Sequence, residues 1–289
     1  MKQKLFTIGI VILSLSGMLL LFALFIGIGS YCYSNEQKVI GNTFKILFLI
    51  ATYIGVKIFN RYVNFLSPDS YGFHFKKFGK NVLIGIIIAT GITALVLTVA
   101  NIFFIIPFEF VALKHNYENP MVILILSTIG IGMWEEFYFR GLIYNTLLKN
   151  SFGFHISAFT SSVLFSLIHY SGFDMSETSW TWYIGIVFIG YILAFIYTIT
   201  DSIWSVVSFH FIWNLIAKLL DDRGNDIGLI EIHHYSEYSK SLDDLMVIIL
   251  GFVLLLILLL TRTKKVSAKI KSYVVQIIKS KEKDFSTSY

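Results

Sequence analysis

Residues 121–148 read MVILILSTIGIGMWEEFYFRGLIYNTLL. The run is long enough to cross a bilayer, which takes roughly 20 apolar residues as a helix. Two adjacent carboxylates, Glu135 and Glu136, and the guanidinium of Arg140 nevertheless stand inside it. Ionisable groups within a span are costly and face a bundle interior or a water-filled cavity. The stretch therefore predicts a membrane helix with a polar site on it.

The rest of the chain has the same character. Of 289 residues, 56% are hydrophobic and 14% charged, against about 25% charged in soluble chains. The apolar blocks predict an all-α, polytopic bundle forming one membrane domain over residues 1–289, with about eight transmembrane helices. They fall at residues 5–29, 44–60, 81–108, 121–148, 154–170, 180–200, 202–220 and 245–261. Spans six and seven are separated only at Asp201, so a tight turn is expected there. The first block exceeds the 7–15 apolar residues of a cleaved signal and is expected to be retained. A single cysteine, Cys32, excludes an internal disulfide framework and a Cys-cluster metal site.

Loop charge tests the span count. Residues 61–80 hold Arg61, Lys76, Lys77 and Lys80 against Asp69, and the tail 262–289 holds eight Lys/Arg against Glu282 and Asp284. Residues 218–244 carry seven acids against Lys218, Arg223 and Lys240. Eight spans with both termini cytoplasmic put every basic segment inside and every acidic one outside. Residues 262–289 are then a basic cytoplasmic tail, whose charge either sets orientation or binds anionic lipid. The net charge of +5 is concentrated where orientation requires it, so membrane lipids and not nucleic acid are the expected partners. The Lys-, Ile- and Asn-rich composition points to a bacterial cytoplasmic membrane.

Two further spans carry groups of the same kind: His169 in the fifth, and His210 with Asn214 in the seventh. At about 1.5 Å per residue, Glu135 lies ~20 Å, His169 ~22 Å and His210 ~12 Å from the expected cytoplasmic helix ends. Three helices thus bring polar side chains to one band of the membrane. Glu136 with Arg140, and His210 with Asn214, are four residues apart and share a helix face. Glu135 points about 100° away from Glu136, so one carboxylate can pair with Arg140 while the other faces the histidines. Ser161, Ser162 and Ser166 lie near His169 but have no G-x-S-x-G context, and there is no HExxH motif. What remains is a carboxylate and a histidine activating water, with a second histidine and an amide stabilising an oxyanion. Glu135, His169 and His210 could instead hold zinc. A proton-coupled transporter would also place Glu and His in the membrane, but would show repeated halves or broken helices, and no repeat is visible.

Three motifs resemble the CAAX protease and bacteriocin-processing (CPBP) family, also called the abortive-infection family. They are E-E-x-x-x-R in EEFYFRG, F-x-x-x-H in FSLIH (Phe165 to His169) and H-x-x-x-N in HFIWN (His210 to Asn214). The match covers about residues 121–220, the expected catalytic core. The resemblance implies an intramembrane endopeptidase in which Glu135 and His169 activate water and His210 and Asn214 hold the oxyanion. Glu136, Arg140 and Phe165 would support them. The preferred reading needs no cofactor, with zinc as the alternative. The expected substrate is a hydrophobic or membrane-attached peptide. A non-proteolytic member, acting in immunity, regulation or acyl modification, is the rival reading, and oligomeric state is left open.

Overall fold

The computed structural model describes residues 2–35, 37–64, 71–104, 108–110, 118–169, 180–220, 230–232 and 235–285. Each of the eight expected apolar segments overlaps a helix, but Phe108 at the end of the third belongs to a strand, and residues 105–107 and 170 lie outside the described residues. The helices are α1 (Lys2–Ser34), α2 (Lys38–Tyr62), α3 (Phe78–Phe104), α4 (Glu118–Tyr138), α5 (Asn145–Lys149), α6 (Phe154–His169), α7 (Trp180–Thr200), α8 (Ile203–Leu220), α9 (Tyr235–Thr261) and α10 (Lys264–Phe285). Among the described residues the regular structure is all-helical apart from one small ribbon. In it β1 (Phe108–Phe110) pairs antiparallel with β2 (Ile230–Ile232), Glu109 opposite Glu231.

Among the described residues five helices, α1, α2, α3, α7 and α9, are long and apolar enough to cross a membrane. Helix α6 and the stretch Ile203–Leu219 are apolar but shorter. At 16 residues, α6 reaches about 24 Å, less than the roughly 30 Å hydrocarbon core. Helix α7 is the centre of the bundle: 61% of its most apolar window is buried, against 11% for α1. The apolar faces of α1 and α3 consequently point outward, with Leu13, Leu20, Ile87 and Phe103 exposed.

One expectation needs correcting. Residues 121–148 are not a uniform helix, because Phe139–Tyr144 form a π turn between α4 and α5. A π turn disengages carbonyls from the regular ladder, and here a carbonyl of the turn accepts from side-chain amides. The Gly141 carbonyl accepts from Asn60 Nδ2 of α2 at 2.7 Å and from Asn145 Nδ2 at 3.2 Å. Asn145 Nδ2 also donates to Tyr197 Oη, which donates to the Tyr71 carbonyl, and Asn145 Oδ1 accepts from Tyr273 of α10. Asn64 donates to Asn60 and Thr146. These buried bonds tie α2, the π turn, α7 and α10 together.

The tight turn expected at Asp201 is present, with φ of +52°. Its neighbour α8 starts well formed, since the Ile203 N–H is satisfied by the Gly72 carbonyl at 3.0 Å. Helix α8 then packs hard against α3 at Gly85, where a Cβ would run into the Ser205 carbonyl and Ser208 Oγ. This crossing sets the depth of His210.

Candidate active site

Helices α4, α6 and α8 converge on Glu135, Glu136, His169 and His210. Glu136 is fully buried and its Oε1 accepts two bonds, from Arg140 Nη1 at 2.7 Å and His210 Nδ1 at 2.8 Å. The pairing with Arg140 was expected from the four-residue spacing. The bond to His210 was not, and it extends the supporting role from helix packing to orientation of an imidazole.

Arg140 is equally buried. Its Nη2 donates to the Gly190 carbonyl of α7 at 3.0 Å, and its guanidinium lies 4.7 Å over the Phe165 ring. That carbonyl is within reach because residue 190 is glycine: a Cβ there would lie 2.8 Å from Ser162 Cβ on α6. Phe165 meets His169 and His210 edge-on, with ring centroids 4.9 and 5.8 Å away. One phenyl ring thus separates the guanidinium from both imidazoles.

Glu135 faces the histidines, as the helical wheel requires. Its Oε2 is 3.4 Å from His210 Nε2 and 4.0 Å from His169 Nε2. Each histidine has its other nitrogen committed. His169 Nδ1 donates to the Phe165 carbonyl at 2.8 Å, which leaves its Nε2 lone pair turned toward Glu135. Its side chain is 22% exposed, against 7% for Glu135 and His210, so access to the cluster is from the His169 side, beside Trp182. Asn214 stands one turn beyond His210, half-buried, with no hydrogen-bond partner among the described residues.

The serines near His169 are spent on backbone. Ser161 and Ser162 donate to the Ala158 carbonyl, and Ser166 donates to the Tyr183 carbonyl. Glu135, His169 and His210 are the residues that would hold zinc if it were bound. The donor atoms of a tetrahedral zinc site lie about 3.4 Å apart. The Glu135–His210 separation meets this, and the 4.0 Å Glu135–His169 separation does not. Among the described residues, no group of three or more His, Cys, Asp or Glu is arranged to hold a metal ion.

Gly190, Trp182 and the Asn145 network lie outside the sequence motifs. Asn60 and Asn145 could have been found by the test that singled out the glutamates, as polar residues within apolar helices, whereas Asn64 lies just past the end of α2. Gly190 leaves no such mark.

No curated protein and no solved structure matches the chain. Residues 117–216, which hold all three motifs and the whole cluster, match the family model described as Type II CAAX prenyl endopeptidase Rce1-like. With several membrane-length helices among the described residues, the chain is a multi-pass membrane protein in which residues 117–216 are similar to the Rce1-like type II CAAX prenyl endopeptidases.

Proposed function

We propose that the chain is an intramembrane endopeptidase that hydrolyses a hydrophobic or membrane-attached peptide with water activated by Glu135 and His169. One observation carries the reading: Glu135 Oε2 and the free Nε2 of His169 stand 4.0 Å apart. That is too far for a direct hydrogen bond and close to the spacing, about 4 Å, of two acceptors sharing one water. A water there donates to both and turns its lone pair toward a substrate carbonyl. Glu135 takes the proton as the C–O bond forms and returns it to the leaving amine as the C–N bond breaks.

The developing oxyanion needs donors. His210 lies between two carboxylates, Glu136 on Nδ1 and Glu135 on Nε2, which suits an imidazolium with a proton on each nitrogen. Arg140, Glu136, His210 and Glu135 then alternate in sign, which offsets the cost of burying each charge. The Nε2 proton of His210 and the uncommitted amide of Asn214, on the same helix face, form the oxyanion hole. The reaction as written needs no cofactor.

Eight crossings are the topology that accommodates the loop charges, with both termini in the cytoplasm. Short α6 and α8 cross within the bundle, where neighbouring helices line them.

The test is cleavage of a hydrophobic peptide library by protein in nanodiscs, read by mass spectrometry, with and without a chelator. Wild type should cleave, Glu135→Gln and His169→Ala should not, and the chelator should have no effect. Cleavage that survives Glu135→Gln sinks the mechanism, and chelator-sensitive cleavage replaces the activated water with a metal.

A further inference from the structure

Among the described residues helix α10 is the one long helix that is not apolar, and it is docked rather than free. It follows the α9 span after a two-residue turn, in which the Arg262 and Thr263 N–H groups bond back to Leu259 and Leu260 and Thr263 Oγ1 meets the Val266 N–H. Its middle touches two other helix ends. Tyr273 Oη donates to Asn145 at the start of α5, Lys149 Nζ donates to the Ile277 carbonyl at 3.0 Å, and Gln276 Nε2 is 3.5 Å from Asp201 Oδ2 beyond the end of α7. A helix that touches the ends of α5, α7 and α9 lies across that end of the bundle, in the plane of the membrane interface.

Its two faces differ in chemistry. Ile270, Tyr273 and Ile277 are buried against the bundle. Lys264, Lys265, Lys271 and Lys279 are exposed on the other side, and none has an acidic partner among the described residues. Val275 and Ile278, 45% and 38% exposed, lie among them. On a helical wheel Lys264, Lys271, Val275 and Ile278 fall within about 60°. Unpaired ammonium groups interleaved with bulky apolar side chains at membrane depth suit one partner: anionic phospholipid, with acyl chains against Val275 and Ile278 and headgroups on the lysines.

We propose that the outward face of α10 is a binding surface for anionic phospholipid. Orientation alone would need basic charge on this side of the membrane, but not these neighbours on a docked in-plane helix. The surface is independent of the hydrolytic reading, since none of its residues reaches the cluster.

The test uses the full chain in nanodiscs of equal phosphatidylglycerol and phosphatidylcholine, re-extracted in mild detergent, with retained lipid measured by native mass spectrometry. Wild type should retain phosphatidylglycerol about threefold or more over phosphatidylcholine. The enrichment should disappear in the combined Lys264→Gln, Lys265→Gln, Lys271→Gln and Lys279→Gln variant, and persist in the matching Lys→Arg variant and in Lys2→Gln/Lys4→Gln. Should the glutamine variant not fold, wild type suffices: about 0.5 M NaCl, where screening acts over roughly 4 Å, should erase the enrichment. Parity of the two lipids in wild type, or enrichment that survives both the glutamine variant and salt, overturns the proposal.

Discussion

Glu136 Oε1 lies 2.7 Å from Arg140 Nη1 and 2.8 Å from His210 Nδ1, so a single oxygen joins α4 to α8. Removing either partner leaves a fully buried carboxylate short of a hydrogen bond. Breaking a buried pair from one side costs about 3–5 kcal/mol. Arg140→Ala is therefore expected to lower the unfolding midpoint strongly. Adding Glu136→Gln to it should recover part of the loss, because the stranded charge is then gone. Thermal unfolding of both variants in one detergent checks this.

Glu135 should behave differently, because the proposed reaction gives it a chemical task. Its Oε2 makes no hydrogen bond among the described residues, so Glu135→Gln gives up only the 3.4 Å charge contact with His210 and relieves the burial of a carboxylate. Loss of a general base costs about 10²–10⁴ in rate. Cleavage should fall by at least about 10²-fold while the unfolding midpoint holds or rises. A parallel loss of stability would assign Glu135 to the scaffold.

Gly190 lets α7 approach α6 and offers its carbonyl to Arg140. Gly190→Ala sets a methyl 2.8 Å from Ser162 Cβ, and overpacking of this kind costs about 1–3 kcal/mol. Both stability and cleavage should drop. Adding Ser162→Gly should restore part of each, since it removes the Cβ and Oγ that are struck and leaves only the Cα at 3.0 Å. An additive double variant would place the damage elsewhere.

Burial pushes the Asp201 carboxyl above its ordinary range, against the Gln276 hydrogen bond and the nearby His74 and Lys269, which pull it down. The folded chain thus keeps a proton that the unfolded chain releases. Stability at this position is fully present below the unfolded carboxyl value and falls as pH rises through the interval to the folded one. Asparagine also tolerates the positive φ. Asp201→Asn should raise the unfolding midpoint by a few degrees near pH 7.5 and change little near pH 4. Equal effects at both pH values would trace the gain to the backbone alone.

Asn145 has three buried partners: the Gly141 carbonyl, Tyr197 and Tyr273. Leaving buried polar groups unmatched costs about 1–3 kcal/mol each. Asn145→Leu should destabilise the chain and increase proteolytic release of the α10 tail, because Tyr273 loses its anchor. Limited proteolysis with quantified tail fragments reads this directly.

The helices were legible because apolar runs of bilayer length need no partner to be recognised. The site was legible because Glu135, His169 and His210 stand out against those runs, and helical spacing decides which of them face one another. The Glu136–His210 bond was not, since it depends on how α4 and α8 are rotated about their axes, which Gly85 and Gly132 set by letting neighbours close in. Gly190 reads as an ordinary small residue until its carbonyl is seen under Arg140. The π turn has no local signature at all. Tertiary bonds from Asn60 and Asn145 hold it, and Asn60 is 81 residues from Gly141.

That turn divides one span into two lengths of helix with independent angular phase. A π turn accommodates an extra residue relative to a regular helix, a rotation of about 100°. Without it, Glu135 and Glu136 would still address the histidines, but Asn145 would swing away from Tyr197 and Tyr273. The phase before Phe139 is answerable to chemistry and the phase after Tyr144 to the docked tail. A homologue lacking the turn would align with this chain through the glutamates and then run one residue out of step. A single-residue gap between Arg140 and Asn145 in an alignment would thus mark which relatives hold their tails as this one does.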